Sequence, residues 1–176
     1  MQPNTQEQDS LFDDIVEDTM YYRTFFGREA DYYEERRLRM QAGATTVFNP
    51  FAFFLGFFWM AYRKMYVELL VLAAITIAIE SLLSFALEID NSGQERALNM
   101  LWAIAIGFCA NIFYFKKATR TINQAKGMYV NTGDQLDYVE KQGGTAVISV
   151  VIVGIVLLII VLGPIFLEEY LNGYEY

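Results

Sequence analysis

Hydrophobic residues in this chain are gathered into blocks, not spaced at the 3.6- or 2.0-residue intervals that a water-soluble helix or strand presents to a core. Three blocks are long: Tyr66 to Leu87, Ala97 to Phe115 and Thr145 to Phe166. Each has about nineteen residues or more, enough for a helix to cross a bilayer. A fourth block, Phe48 to Tyr62, is shorter and strongly aromatic. As a helix it reaches only about 22 Å, against about 30 Å of hydrocarbon. Asn49 and Pro50 suit its N-cap and first helical position. Because Phe, Trp and Tyr favour the membrane interface, residues 48–65 are expected to form an interfacial or re-entrant helix.

Polar segments surround these blocks. Residues 1–10 read as a disordered tail. Residues 11–47 read as a helical region: one helix from Ser10 with Asp13, Asp14 and Glu17 in its first turns, stopping at Gly27, then a second from Glu29 to Gln41. Leu11, Ile15, Val16 and Thr19 give the first an apolar face. The second carries its acids first and its bases last, as the helix dipole prefers. The Ala97–Phe115 block continues as a polar helix to Gly127, and Asn131, Gly133 and Asp134 suggest a loop. The expected fold is therefore all-α: an integral membrane protein with three transmembrane helices (66–87, 97–115, 145–166) forming one unit over 66–166, one aromatic interfacial or re-entrant helix, and an N-terminal amphipathic helical region.

Charge sets the expected orientation, since loops rich in Lys and Arg stay in the cytoplasm. Arg36, Arg37, Arg39, Arg63 and Lys64 precede the first span, and Lys116, Lys117, Arg120 and Lys126 follow the second. The tail 167–176 has acids and no base. The N-terminus and loop 116–143 are thus expected inside, the Glu88–Arg96 loop and the C-terminus outside. The first thirty residues hold no charged-then-apolar signal pattern, so no cleaved signal peptide is expected. A net charge of −8 over 176 residues disfavours nucleic acid as a partner. With no His and one Cys, Cys109 inside an apolar block, zinc sites and Cys/His catalysis are excluded within one chain. No cofactor motif, phosphate loop or nucleophile elbow is present, so no enzymatic role is expected.

Glu80 stands out, because an ionisable side chain inside a span costs a few kcal/mol. It falls on a polar stripe with Thr76, Ser84 and Glu88, at four-residue spacing. Asn99, Ala103, Gly107 and Asn111 make a second stripe of small and polar residues, suited to helix–helix approach. The two stripes are expected to face each other, with Trp102 or Asn99 as donors to Glu80. Glu80 then either joins helices or subunits as a neutral acid or serves as a proton or cation site. Beside the interfacial block, Phe57, Phe58, Trp59, Arg63 and Lys64 are candidates for contact with anionic headgroups or a partner.

The stretch from Phe26-Gly27-Arg28 through Asp31-Tyr32-Tyr33 to Asn49-Pro50 and Tyr62-Arg63-Lys64-Met65-Tyr66 resembles a bacterial membrane family labelled domain of unknown function 2628. Ala110-Asn111 followed by Tyr114 is similar to that family's later segment, so the resemblance covers roughly residues 26–126. It implies a bacterial inner-membrane protein with no established activity. The function expected from these readings is a non-enzymatic partner-binding or scaffolding membrane subunit, in contact with the bilayer and with other subunits or copies of itself. The alternatives are a small oligomeric transporter or proton-coupled channel using Glu80, and an anionic-lipid-binding surface protein.

Overall fold

The computed structural model describes Thr5–Leu87 and Ser92–Asn172. Every element is helical among the described residues: α1 (Thr5–Phe26), a 3-10 turn (Gly27–Glu29), α2 (Ala30–Gln41), α3 (Pro50–Leu55), α4 (Phe57–Tyr62), α5 (Tyr66–Leu87), α6 (Ser92–Met128), α7 (Thr132–Gln142) and α8 (Val147–Asn172). Three of them, α5, α6 and α8, are long and apolar enough to cross a membrane. Residues 1–4, most of the Glu88–Arg96 loop's side chains, and the end of the tail lie outside the described residues.

Physical reasons for these elements are local at several points. Asn49 caps α3 by accepting from the Ala52 amide at 3.1 Å, with Pro50 in the first turn. Gly27 ends α1 at φ +65°. Helix α1 starts at Thr5, so residues 5–10 are helical where a disordered tail was expected. The aromatic block is not one helix either. Gly56, at φ +46°, breaks it into α3 and α4, a backbone region that residues with a Cβ avoid. Segment 132–142, read as part of a loop, is helix α7, capped by Asn131 accepting from the Gly133 amide at 2.8 Å.

The packed core does not lie among the long helices. It is a helical head in which α1, α2, α4, α7 and the second half of α6 meet. Tyr21, Phe25, Phe26, Tyr33, Trp59, Tyr114, Ala118 and Val139 are buried there. The buried face of α1 is thus Tyr21, Phe25 and Phe26, whereas Ile15 and Val16 are exposed. Lys126 holds the end of α6 to α1 through Glu17 at 3.2 Å and Asp18 at 3.3 Å. The N-terminal helices and segment 116–143 therefore sit at the same end of the spans.

The long helices pack on the head more than on one another. Helices α5 and α8 leave it from neighbouring points, where Tyr66 Oη and Ser149 Oγ are 2.7 Å apart. None of the apolar window on α5 or on α8 is buried, against 28% of that on α6. Only α6 is continuous from span to head.

Candidate functional site

The centre of the head is an arginine enclosed by rings. Helix α1 supplies Phe25 and Phe26, α2 supplies Tyr33, α4 supplies Trp59, and α6 supplies Tyr114 and Phe115. The Tyr33 and Tyr114 ring centroids are 4.9 Å apart, and Phe26 lies 5.5 Å from Tyr33 and 5.6 Å from Tyr114. Such tilted and edge-on pairs place ring edges against ring faces. Into this cluster projects Arg63, 1% exposed. Its guanidinium carbon stands 4.4 Å from the Tyr33 centroid and 5.5 Å from those of Tyr62 and Tyr114. The charge is paired with Glu29 in the 3-10 turn, and Nη1 donates to the Phe26 carbonyl at 3.5 Å.

A buried cation costs several kcal/mol unless paired, and here a carboxylate, a carbonyl and three π-faces share the task. Burial lowers the Arg63 pKa from its ordinary value, and the Tyr114 phenol counteracts this. Burial also pushes the Tyr33 phenol up. A phenol held neutral is no general base, but its hydroxyl can accept, and Trp59 Nε1 donates to it at 3.3 Å. Glu29, Arg63 and Tyr33 thus form a structural ion pair on an aromatic seat.

The backbone around Arg63 is tied down by lysines. Lys64 takes φ +56°, and its Nζ donates to the Lys141 carbonyl at 2.9 Å. Lys117 Nζ donates to the carbonyls of Arg63 at 3.3 Å and Lys64 at 2.6 Å. The Lys117 bonds satisfy carbonyls just past the end of α4, and the Lys64 bond satisfies one in the last turn of α7.

A second polar joint fixes α3 to α6. Asn49 Nδ2 donates to Asn111 Oδ1 at 2.9 Å, Asn111 Nδ2 donates to the Val47 carbonyl at 2.8 Å, and the Asn49 amide donates to the Gly107 carbonyl at 2.8 Å. Both asparagines are fully buried. Gly107 makes the approach feasible, since a Cβ there would lie 2.5 Å from Phe48 Cε2 and 3.1 Å from Phe53 Cβ.

The polar positions singled out in the sequence are therefore divided. Gly107 and Asn111 face α3 and the segment before it, not the stripe on α5. Thr76 does meet α6: its hydroxyl accepts from Trp102 Nε1 at 2.8 Å and donates to the Leu72 carbonyl at 2.9 Å. Glu80 lies on the outside of α5 and has no hydrogen bond or ion pair among the described residues. Asn99 is exposed as well, and the Ser84 side chain lies outside those described. Of the surface candidates, Trp59 and Arg63 point inward, Phe57 and Lys64 are half-buried, and Phe58 is exposed. Cys109 is exposed and lines a cavity of about 140 Å³ with Leu72 and Trp102. No group of metal-ligating residues occurs among the described residues.

Sequence reasoning missed the inward role of Arg63. A Tyr-Arg-Lys run at a helix end resembles an interfacial anchor, and the Glu29 that neutralises it lies 34 positions earlier. The one available signal was that Arg63 follows directly on an aromatic block.

These features define an all-α protein with three helices long and apolar enough to cross a membrane, joined to an aromatic head built on a buried arginine, Arg63, paired with the half-exposed Glu29. The chain belongs to the family described as Protein of unknown function (DUF2628), whose model matches residues 13–120. That range takes in α1 from Asp13, α2 to α5, and α6 as far as Arg120, including the Glu29–Arg63 pair and the Asn49–Asn111 joint. No curated protein and no solved structure matches the chain.

Proposed function

We propose that this protein is a non-enzymatic subunit of a membrane assembly, binding partner membrane proteins or further copies of itself through the outer faces of its spans. The observation that carries this reading is Glu80: an ionisable side chain in the apolar part of α5, on the outside of the fold and without a partner among the described residues. Facing lipid alone it costs a few kcal/mol, and a polar group on another helix removes that cost. The loose packing of α5, α6 and α8 on one another supports the same conclusion, because membrane helices gain stability from close contact. Transport by a single chain requires an enclosed polar path, and Glu80 lies outside any such path. The distribution of Lys and Arg supports a head on the cytoplasmic side of a bacterial inner membrane, with the C-terminus external.

Photo-crosslinking from Ile77, the outward position next to the Thr76–Glu80 stripe, tests the proposal in native membranes. The expected result is a discrete protein adduct that is strongly diminished in Glu80→Leu and kept in Glu80→Gln, which still hydrogen-bonds. Only lipid adducts, or protein adducts unchanged by Glu80→Leu, would overturn it.

A further inference from the structure

A polar cavity of about 460 Å³ lies where the end of α1, the 3-10 turn and the residues just before α5 and α8 meet. Lys64 on its lining is two positions before Tyr66, the first residue of α5, and Thr145 is two positions before Val147, the first of α8. Tyr66 Oη and Ser149 Oγ, 2.7 Å apart, hold the two helix starts side by side. The cavity is therefore at the level where a bilayer places its headgroups, just outside the apolar lengths of both helices. Glycines form part of its wall: Gly27 and Gly144 face each other so closely that a Cβ on Gly27 would lie 3.4 Å from the Gly144 Cα.

The charged lining is Arg23, Arg28, Lys64 and Glu140. Arg23 is neutralised by Asp31 at 2.8 Å. Lys64 gives one N–H to the Lys141 carbonyl, and its ammonium keeps its charge and two more donors. Arg28 and Glu140 are exposed, and among the described residues neither forms an ion pair or a hydrogen bond, with the other or with any other group. The Thr145 hydroxyl likewise has no partner among those residues. Opposite charges thus face one cavity without pairing. A simple anion would be attracted by Arg28 and Lys64 and repelled by Glu140. A zwitterion satisfies all three, because its anionic part pairs with the cations and its ammonium with the carboxylate. At the headgroup level, phosphoethanolamine has this composition: a phosphodiester and a primary ammonium with three donors. We infer that the cavity binds the phosphoethanolamine headgroup of a phospholipid, with the phosphate on Arg28, Lys64 and the Thr145 hydroxyl and the ammonium on Glu140. This inference rests on α5 and α8 being membrane spans, and it is independent of what Glu80 contacts.

The full chain, stripped of lipid in detergent, is titrated with dihexanoyl phosphatidylethanolamine, and bound lipid is counted by native mass spectrometry. Dihexanoyl phosphatidylglycerol and free phosphoethanolamine are the comparison probes. The expected result is one saturable equivalent of the phosphatidylethanolamine, bound about fivefold or more tighter than either comparison. Arg28→Gln weakens both lipids by about fivefold, the effect of one cation near a membrane surface. Glu140→Gln weakens the phosphatidylethanolamine by a similar factor and tightens the phosphatidylglycerol, a reversal that loss of folding does not produce. Both side chains are exposed, so both variants keep the wild-type melting temperature. Equal binding of the two lipids, or a Glu140→Gln effect alike on both, overturns the zwitterion assignment. Free phosphoethanolamine that binds as tightly as the lipid overturns the lipid as its source. Binding that does not saturate, or that neither substitution changes, overturns the site.

Discussion

The joint between α7 and α8 offers the sharpest mutational test of how the head is assembled. A Cβ built on Gly143 would lie 2.3 Å from the Phe25 carbonyl oxygen, 2.8 Å from its Cα and 2.9 Å from its carbonyl carbon. All three are backbone atoms of the last turn of α1, so no rotamer change relieves the contact. Gly143 itself has φ −89° and ψ −155°, a conformation open to any residue. The cost of Gly143→Ala is therefore steric. Overpacking costs about 1–3 kcal/mol where side chains can yield, so backbone against backbone belongs at the upper end. The displacement also breaks the bond from the Gly144 amide to the Phe25 carbonyl, 2.7 Å long, which adds about 1 kcal/mol. About 3–4 kcal/mol in total corresponds to a fall in melting temperature of roughly 10 °C for a chain of this size. Intrinsic fluorescence follows it, because Trp59 sits in the core that this joint closes. Gly154→Ala is the control, as its Cβ would meet only Phe58 Cε1 at an ordinary 3.8 Å. If Gly143→Ala melts within about 2 °C of that control, the close approach of α7 to α1 is not part of the fold, and the reasoning fails.

Four further outcomes follow from the geometry of the head. Asn111→Leu leaves the Asn49 amide group and the Val47 carbonyl without their partner in a buried site, and lowers unfolding free energy by about 2–3 kcal/mol in denaturant titration. Arg63→Lys fails to restore what Arg63→Met loses, since a compact ammonium cannot at once lie across the Tyr33 face, reach Glu29 and reach the Phe26 carbonyl; equal melting temperatures for Lys and wild type would refute this. Lys64→Gly is more stable than Lys64→Ala by about 1 kcal/mol, because both lose the bond to the Lys141 carbonyl but only Gly relieves the left-handed backbone. The Tyr33 contribution to stability is constant below about pH 10 and is lost as pH rises beyond it, because the raised Tyr33 pKa keeps a proton in the folded state that the unfolded chain releases; Tyr33→Phe makes the loss of stability above about pH 10 shallower in denaturant titrations.

The three long helices were legible because a bilayer reads sequence crudely: a run of about nineteen apolar residues suffices, whatever its neighbours. The Asn49–Pro50 start and the Gly27 stop were equally local, each decided by one residue's hydrogen bonding or backbone freedom. What was not legible depends on partners far apart in the chain. Asn111 was placed on a stripe facing α5, and its actual partner, Asn49, is separated from it by 62 positions. Helix α7 was hidden by its short length and by Asn131, Gly133 and Asp134, which serve a turn and a helix start equally well. Gly56 lies in a block whose aromatic density suggested one continuous interfacial helix, and no local pattern marked the positive φ it adopts.

Helix α6 runs unbroken from Ser92 to Met128, 37 residues, or about 55 Å at the usual rise. Membrane helices answer a change in bilayer thickness by tilting. In a helix hinged at the bilayer surface that tilt stays in the lipid; in α6 it is carried through Tyr114 and Ala118 into the head. A tilt of about 10° about one end moves the other by about 10 Å. A tilt of the apolar half of α6 is thus passed to the head as a rigid displacement, because the helix has no break between the two.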